Sequence, residues 1–205
     1  MILFVLSNIY IINKFIMKDL FLLGVQWCGK GTQAKALLNH FKWEFEYLEM
    51  GQLFRANMSN DNIVWKYCCD VVNSGWLAPS FICFDWYDIA LKIAQEKGTA
   101  LLTDWFPRSM DQAKFVEEMM KKYDRDFLII NYELSHDKAI ERVMKRAKME
   151  GRIDDIWESI KVRFDVFEDE TLPTIKYFQG KGKVITINAD DTVENILSKT
   201  IELMK

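Results

Sequence analysis

The segment Gly24-Val25-Gln26-Trp27-Cys28-Gly29-Lys30-Gly31-Thr32-Gln33 follows a short apolar run and leads into a stretch of helical periodicity. A glycine-bounded loop between a strand and a helix aims backbone N–H groups at one point, and the positive end of the helix dipole adds to them. Lys30 supplies a mobile cation for β- and γ-phosphates. The general phosphate-loop pattern has Ser or Thr directly after the lysine, whereas here Gly31 intervenes and Thr32 follows. The competing reading is a turn that only caps a helix. A second group of residues is basic. Arg142 and Arg146 stand four apart and project from one helix face, and Arg152 and Arg163 follow. A solvated basic face is the ordinary explanation for such a pair. Four arginines in a chain of net charge −3 are easier to understand around a polyphosphate.

These residues need elements to position them. Periodicity predicts strands over Asp19–Leu23, Phe45–Glu49, Ala100–Thr103, Phe127–Tyr132 and Lys183–Ile187. Between them it predicts helices over Lys30–Phe41, Gln52–Ser74, Ser80–Glu96, Met110–Lys121, Asp137–Lys148, Asp155–Lys181 and Thr192–Met204. Strands alternating with helices imply a parallel sheet covered on both faces, with ligands beyond the carboxyl ends of the strands.

Composition narrows the function classes. The chain has 205 residues, half of them hydrophobic and 28% charged, which suits one α/β domain and excludes wholesale disorder. The slightly acidic balance gives no reason to expect a nucleic-acid partner. Cys28, Cys68, Cys69 and Cys83 form no CxxC pair, and His40 and His136 are isolated. Reduced thiols in a cytoplasmic protein are expected, and zinc is not. Residues 1–16 are almost all apolar but too short to span a bilayer. The favoured reading makes them an extension upstream of the native start, with a domain running over 17–205. The alternative is a membrane-associating tail.

The ending G-K-G-T-Q at Gly29–Gln33 resembles the loop of adenylate kinase and its nucleoside monophosphate kinase relatives, and further blocks are similar. Met50-Gly51-Gln52-Leu53-Phe54-Arg55 resembles the turn opening the monophosphate-binding lobe. Ser74-Gly75-Trp76-Leu77-Ala78-Pro79 resembles S-G-x-L-V-P. Asp104-Trp105-Phe106-Pro107-Arg108 with Gln112 resembles D-G-F-P-R with its later Gln. Arg142, Arg146, Gly151-Arg152-Ile153-Asp154-Asp155 and Arg163 resemble the arginine set around a short lid. Ile187-Asn188-Ala189 resembles the segment beside the donor adenine. The resemblance covers about Lys18 to Met204. It implies a three-layer α/β/α fold of the phosphate-loop type on a five-stranded parallel sheet, with a monophosphate lobe at about 48–77 and a lid at about 147–154.

The resemblance also implies roles. Gly24, Cys28, Gly29, Lys30, Gly31, Thr32, Arg142, Arg146 and Ala189 would hold ATP. Met50, Gly51, Arg55, Leu77, Arg108, Gln112, Arg152 and Arg163 would hold AMP. Lys30, Arg108, Arg142, Arg152 and Arg163 would act on the transferred group. Thr32 and Asp104 would hold Mg²⁺, Asp104 through water. The implied reaction is ATP + AMP ⇌ 2 ADP in a cytoplasmic monomer that binds neither nucleic acid nor membrane. Gln112 favours AMP because an amide offers a donor and an acceptor together. The alternatives are a UMP or CMP kinase, an inactive nucleotide-binding protein and, more remotely, a small-metabolite kinase.

Trp27 and Trp105 stand where this family has glycine, and Trp43 and Trp65 stand where it commonly does. A phosphate loop often needs φ > 0, which costs a bulky residue about 1–3 kcal/mol. The chain has nine glycines and seven tryptophans. Pooled, they approach an ordinary glycine content of about 7%. Three readings stand: a remodelled enzyme, a fold that binds without catalysis, or a gene whose UGA codons mean glycine. The last carries most weight.

Overall fold

The computed structural model describes residues 18–42, 44–57, 62–150 and 157–204, the side chains of 146–150 excepted. Five strands, β1 (Asp19–Gly24), β2 (Phe45–Glu49), β3 (Ala100–Asp104), β4 (Phe127–Glu133) and β5 (Val184–Asn188), lie within one residue of the predicted bounds. Every pairing is parallel, in the order β2-β3-β1-β4-β5. β1 and β3 are buried at every position, as central strands covered on both faces must be.

The helices are α1 (Lys30–His40), α2 (Met50–Ala56), α3 (Ile63–Asn73), α4 (Ser80–Lys97), α5 (Met110–Lys122), α6 (His136–Glu150), α7 (Trp157–Val166), α8 (Leu172–Gln179) and α9 (Val193–Leu203). Alternation along β1 divides the core. Phe21 and Leu23 join Tyr87 and Leu91 of α4, Val116 of α5 and Phe178 of α8. Leu20 and Leu22 face the other way, with Leu37 of α1, Ala139 of α6 and Ile196 of α9. The result is the expected three layers.

Two predicted helices are interrupted. The stretch 52–74 divides: the Asn57 amide donates to the Leu53 carbonyl at 2.8 Å where α2 ends, and the Asn62 side chain accepts from the Val64 N–H at 2.9 Å to start α3. The stretch 155–181 contains a π turn, Phe167–Thr171, between α7 and α8. That turn sets the Thr171 hydroxyl to donate to the Arg108 carbonyl at 3.2 Å.

At the amino end of the sheet, buried Asp19 accepts two hydrogen bonds from Arg125, at 2.6 and 2.8 Å, and one from the Leu101 N–H at 2.7 Å. This locks β1 to β3 at the end remote from their carboxyl termini. The chain leaves β1 for β2 on one side of the sheet and later crosses to β4 on the other. The crevice beyond the carboxyl ends of β1 and β3 is therefore the place for a ligand.

Candidate active site

β1 ends at Gly24 because no side chain fits there. With φ at 136°, a Cβ on Gly24 would lie 2.3 Å from the Tyr132 carbonyl oxygen of β4. The loop then curls around Lys30, whose ammonium donates to the carbonyls of Gly24 at 2.9 Å and Val25 at 3.0 Å, with Cys28 Sγ at 3.6 Å. Gly29 takes φ 102° at the entry to α1, and its carbonyl accepts from the N–H groups of Thr32 and Gln33. The loop is thus wrapped on its own cation.

Arg142 of α6 closes the loop from above. One guanidinium nitrogen donates to the Cys28 carbonyl at 3.0 Å and another to the Ala189 carbonyl at 2.8 Å. The family resemblance implies Ala189 beside the donor adenine; in the structure its carbonyl is the second anchor of Arg142.

A cleft of about 740 Å³ opens over the loop. Cys28, Gly29, Lys30, Gly31 and Thr32 line its floor, and Arg142 and Arg163 line its walls. Gly51 and Arg55 border it from α2, and Asp104 and Trp105 from the end of β3. Arg55 is held by Glu49 at 2.5 Å, a partner the sequence reading missed although a carboxylate at a strand end was visible. A Cβ on Gly51 would lie 2.9 Å from an Arg55 guanidinium nitrogen.

Asp104 is buried, and one carboxylate oxygen, Oδ1, has no hydrogen-bond partner. Burial pushes its pKa up to about 6 against the pull of Lys30, and the Glu49 charge adds to the rise. An orphaned carboxylate oxygen beside a phosphate loop, with Thr32 on the same cleft, is a hard oxygen donor set that suits Mg²⁺ through water. Among the described residues no group of three or more His, Cys, Asp or Glu is placed to hold a metal alone.

Arg108 is 5% exposed, and its Nη2 has no hydrogen-bond partner. Burial, reinforced by the like charge of Arg163, disfavours its ionised form. A guanidinium nonetheless stays protonated at neutral pH. Arg163 lines the cleft, whereas Arg108 lies behind Trp105 and walls a small cavity with Lys30.

Other expected residues fall elsewhere. The Met50 side chain is fully buried in the core below α2. Leu77 is half-buried and does not line the cleft. The Gln112 amide accepts from the Arg108 N–H at 2.7 Å and donates to the Ser80 hydroxyl at 3.3 Å. It braces the start of α5 here. The Arg146 side chain, Arg152 and most of the lid expected at 147–154 lie outside the described residues, as does Trp43.

The tryptophans divide into two kinds. Trp27 has φ 62° and Trp105 φ 76°; with Asp124 they are the non-glycine residues of positive φ among those described. Trp27 packs its ring 5.7 Å from Phe164. Trp65 of α3 instead stacks on Trp86 of α4, 5.5 Å apart with planes 14° from parallel, beside Phe54. That is ordinary aromatic packing on helical backbone.

The adenylate kinase family model matches residues 22–183. An adenylate kinase of Corynebacterium urealyticum is 35% identical over 89% of this chain and 96% of its own length. Adenylate kinase 1 of Schistosoma mansoni is 33% identical over 89% of this chain and 90% of its own. Adenylate kinase isoenzyme 1 of Bos taurus is 28% identical over 89% and 91%. The family match over most of the chain and a relative 35% identical across nearly its whole length show that the chain belongs to the adenylate kinase family.

Proposed function

We propose that this chain transfers the terminal phosphoryl group of ATP to AMP, giving two ADP, reversibly. The observation that carries the reading is the pairing of two cationic centres around one cleft. Lys30 and Arg142 stand at the phosphate loop, and Arg55 and Arg163 line the same cleft, with buried Arg108 behind Trp105. One centre suits a donor polyphosphate and the other an acceptor monophosphate.

An oxygen of the acceptor phosphate forms the new P–O bond to the γ-phosphorus. The bond from that phosphorus to the β–γ bridging oxygen breaks, and its electron pair leaves with ADP. The acceptor is already anionic at pH 7, so no general base is needed. The protein's work is alignment and charge neutralisation. Lys30 exchanges its carbonyl partners for phosphate oxygens, and the backbone N–H groups of the loop take the β-phosphate. Arg55, Arg108 and Arg163 hold the acceptor phosphate. Thr32 and Asp104 would hold Mg²⁺, Asp104 through water, and the ion would neutralise charge on the transferred group.

In the same reading the protein works as a cytoplasmic monomer, with α2 and α3 as the acceptor lobe within residues 48–77. No helix among the described residues is long and apolar enough to cross a membrane. ADP formation from ATP–Mg²⁺ with AMP, UMP, CMP or GMP tests the assignment. AMP should be the preferred acceptor, and Lys30→Met should lower its turnover at least a hundredfold. Absence of ADP from AMP in the parent chain, or faster transfer to a pyrimidine monophosphate, would refute it.

A further inference from the structure

Trp105 is the residue of the site that the reaction does not account for. It follows Asp104 at the end of β3, with the backbone in the left-handed region at φ 76°. Its ring lies over Arg108, the guanidinium carbon 4.8 Å from the ring centroid. Arg108 is the buried cation whose Nη2 lacks a hydrogen-bond partner. The apolar ring therefore covers a buried guanidinium with one unsatisfied nitrogen.

Space leads to the same residue. Trp105 borders the large cleft and two small cavities. One cavity, of about 20 Å³, is walled by Gly51, Phe54, Arg55, Asn73 and Arg163. The other, of about 10 Å³, lies between Gly24, Lys30, Arg108 and Thr171. Neither has room for more than about one water, and a phosphate group fits in neither. The indole is the wall that the two cavities share with the cleft. Both positively charged flanks of the acceptor subsite end on it.

We propose that Trp105 is a specificity-setting plug of the acceptor subsite. Its ring is held on Arg108 by a cation–π contact and must swing away before an acceptor phosphate reaches that guanidinium. Acceptor affinity is then lowered by the fraction of time the ring stays in place. Donor affinity is set by Lys30 and Arg142 and is untouched. The inference rests on AMP as acceptor but concerns binding, so its test does not depend on turnover.

The test compares the parent with Trp105→Ala, Trp105→Gly and Trp105→Phe. AMP and ATP affinities are each read by titration calorimetry in the absence of the other nucleotide, and their KM by ADP formation. Alanine and glycine should each tighten AMP binding at least tenfold and leave ATP binding within twofold. Phenylalanine, which keeps a ring on Arg108, should stay within threefold of the parent. Glycine alone should raise Tm, because alanine keeps a Cβ at φ 76° and the strain with it. Unchanged or weaker AMP binding in both small variants overturns the plug. So does an equal gain for ATP, which would mean general opening of the cleft. Tighter AMP binding without turnover in any form sustains the plug and removes the phosphoryl-transfer reading.

Discussion

Replacing Asp104 with Asn should make the protein more stable and a worse enzyme, with a pH dependence that identifies the cause. The folded-state pKa of about 6 lies about two units above the ordinary carboxylate value of 3.8. The folded protein therefore binds this proton more tightly than the unfolded chain. The favourable contribution is present below pH 3.8 and is lost as pH rises through 6. At pH 7 the ionised, buried carboxylate costs roughly 3 kcal/mol, at 1.36 kcal/mol per unit. Asparagine removes the charge and keeps an oxygen to accept from the Trp105 N–H. Its advantage should be close to zero at pH 4, grow between pH 4 and 6, and level at up to about 3 kcal/mol above pH 7. For a chain of this length that is a rise in Tm of about 6–12 °C. Thermal unfolding across pH 4–8, in EDTA and without nucleotide, measures it. ADP formation at pH 7.5 should fall at least tenfold in the same variant. A stability difference that does not change with pH, or an asparagine variant less stable than the parent at pH 7, would refute the reasoning.

Three further outcomes are expected. Gly24→Ala forces a methyl toward the Tyr132 carbonyl at positive φ, and urea unfolding should show a loss of about 2–5 kcal/mol. Arg142→Ala removes charge-assisted hydrogen bonds to the Cys28 and Ala189 carbonyls, and ATP KM should rise about 10- to 100-fold with AMP KM little changed. Sequencing the gene should find UGG at 65 and 86, where the rings stack, and at 105, where the plug needs a real indole; UGA read as glycine at 105 would remove the plug together with the tryptophan.

How much of this was legible beforehand depended on the kind of signal. The strands announced themselves as apolar runs between helical stretches. Their order was not legible, because pairing is non-local. The break after Ala56 was present in the sequence as Asn57 and Ser59–Asn62, but apolar periodicity on both sides hid it. The π turn at Phe167–Thr171 left no pattern, since one extra residue in a helical turn barely alters apolar periodicity. At the site, the loop and the arginines were legible as types and spacings. Their partners were not, because the Glu49–Arg55 pair and the ring over Arg108 depend on which strand ends are neighbours. The tryptophans show the difference most plainly. Composition grouped all seven, whereas dihedral angles separate Trp27 and Trp105 from Trp65.

Arg142 has a consequence for communication within the molecule. A single guanidinium ties α6 to the loop after β1 and to the segment after β5. A tilt of α6 therefore pulls on the Cys28 carbonyl, and a phosphate that reshapes the loop pulls on α6. Thermodynamic reciprocity makes the two effects equal: whatever free energy the ligand contributes to the pose of the helix, the helix returns as affinity for the ligand. One side chain thus lets occupancy at the sheet end be sensed along the full length of α6.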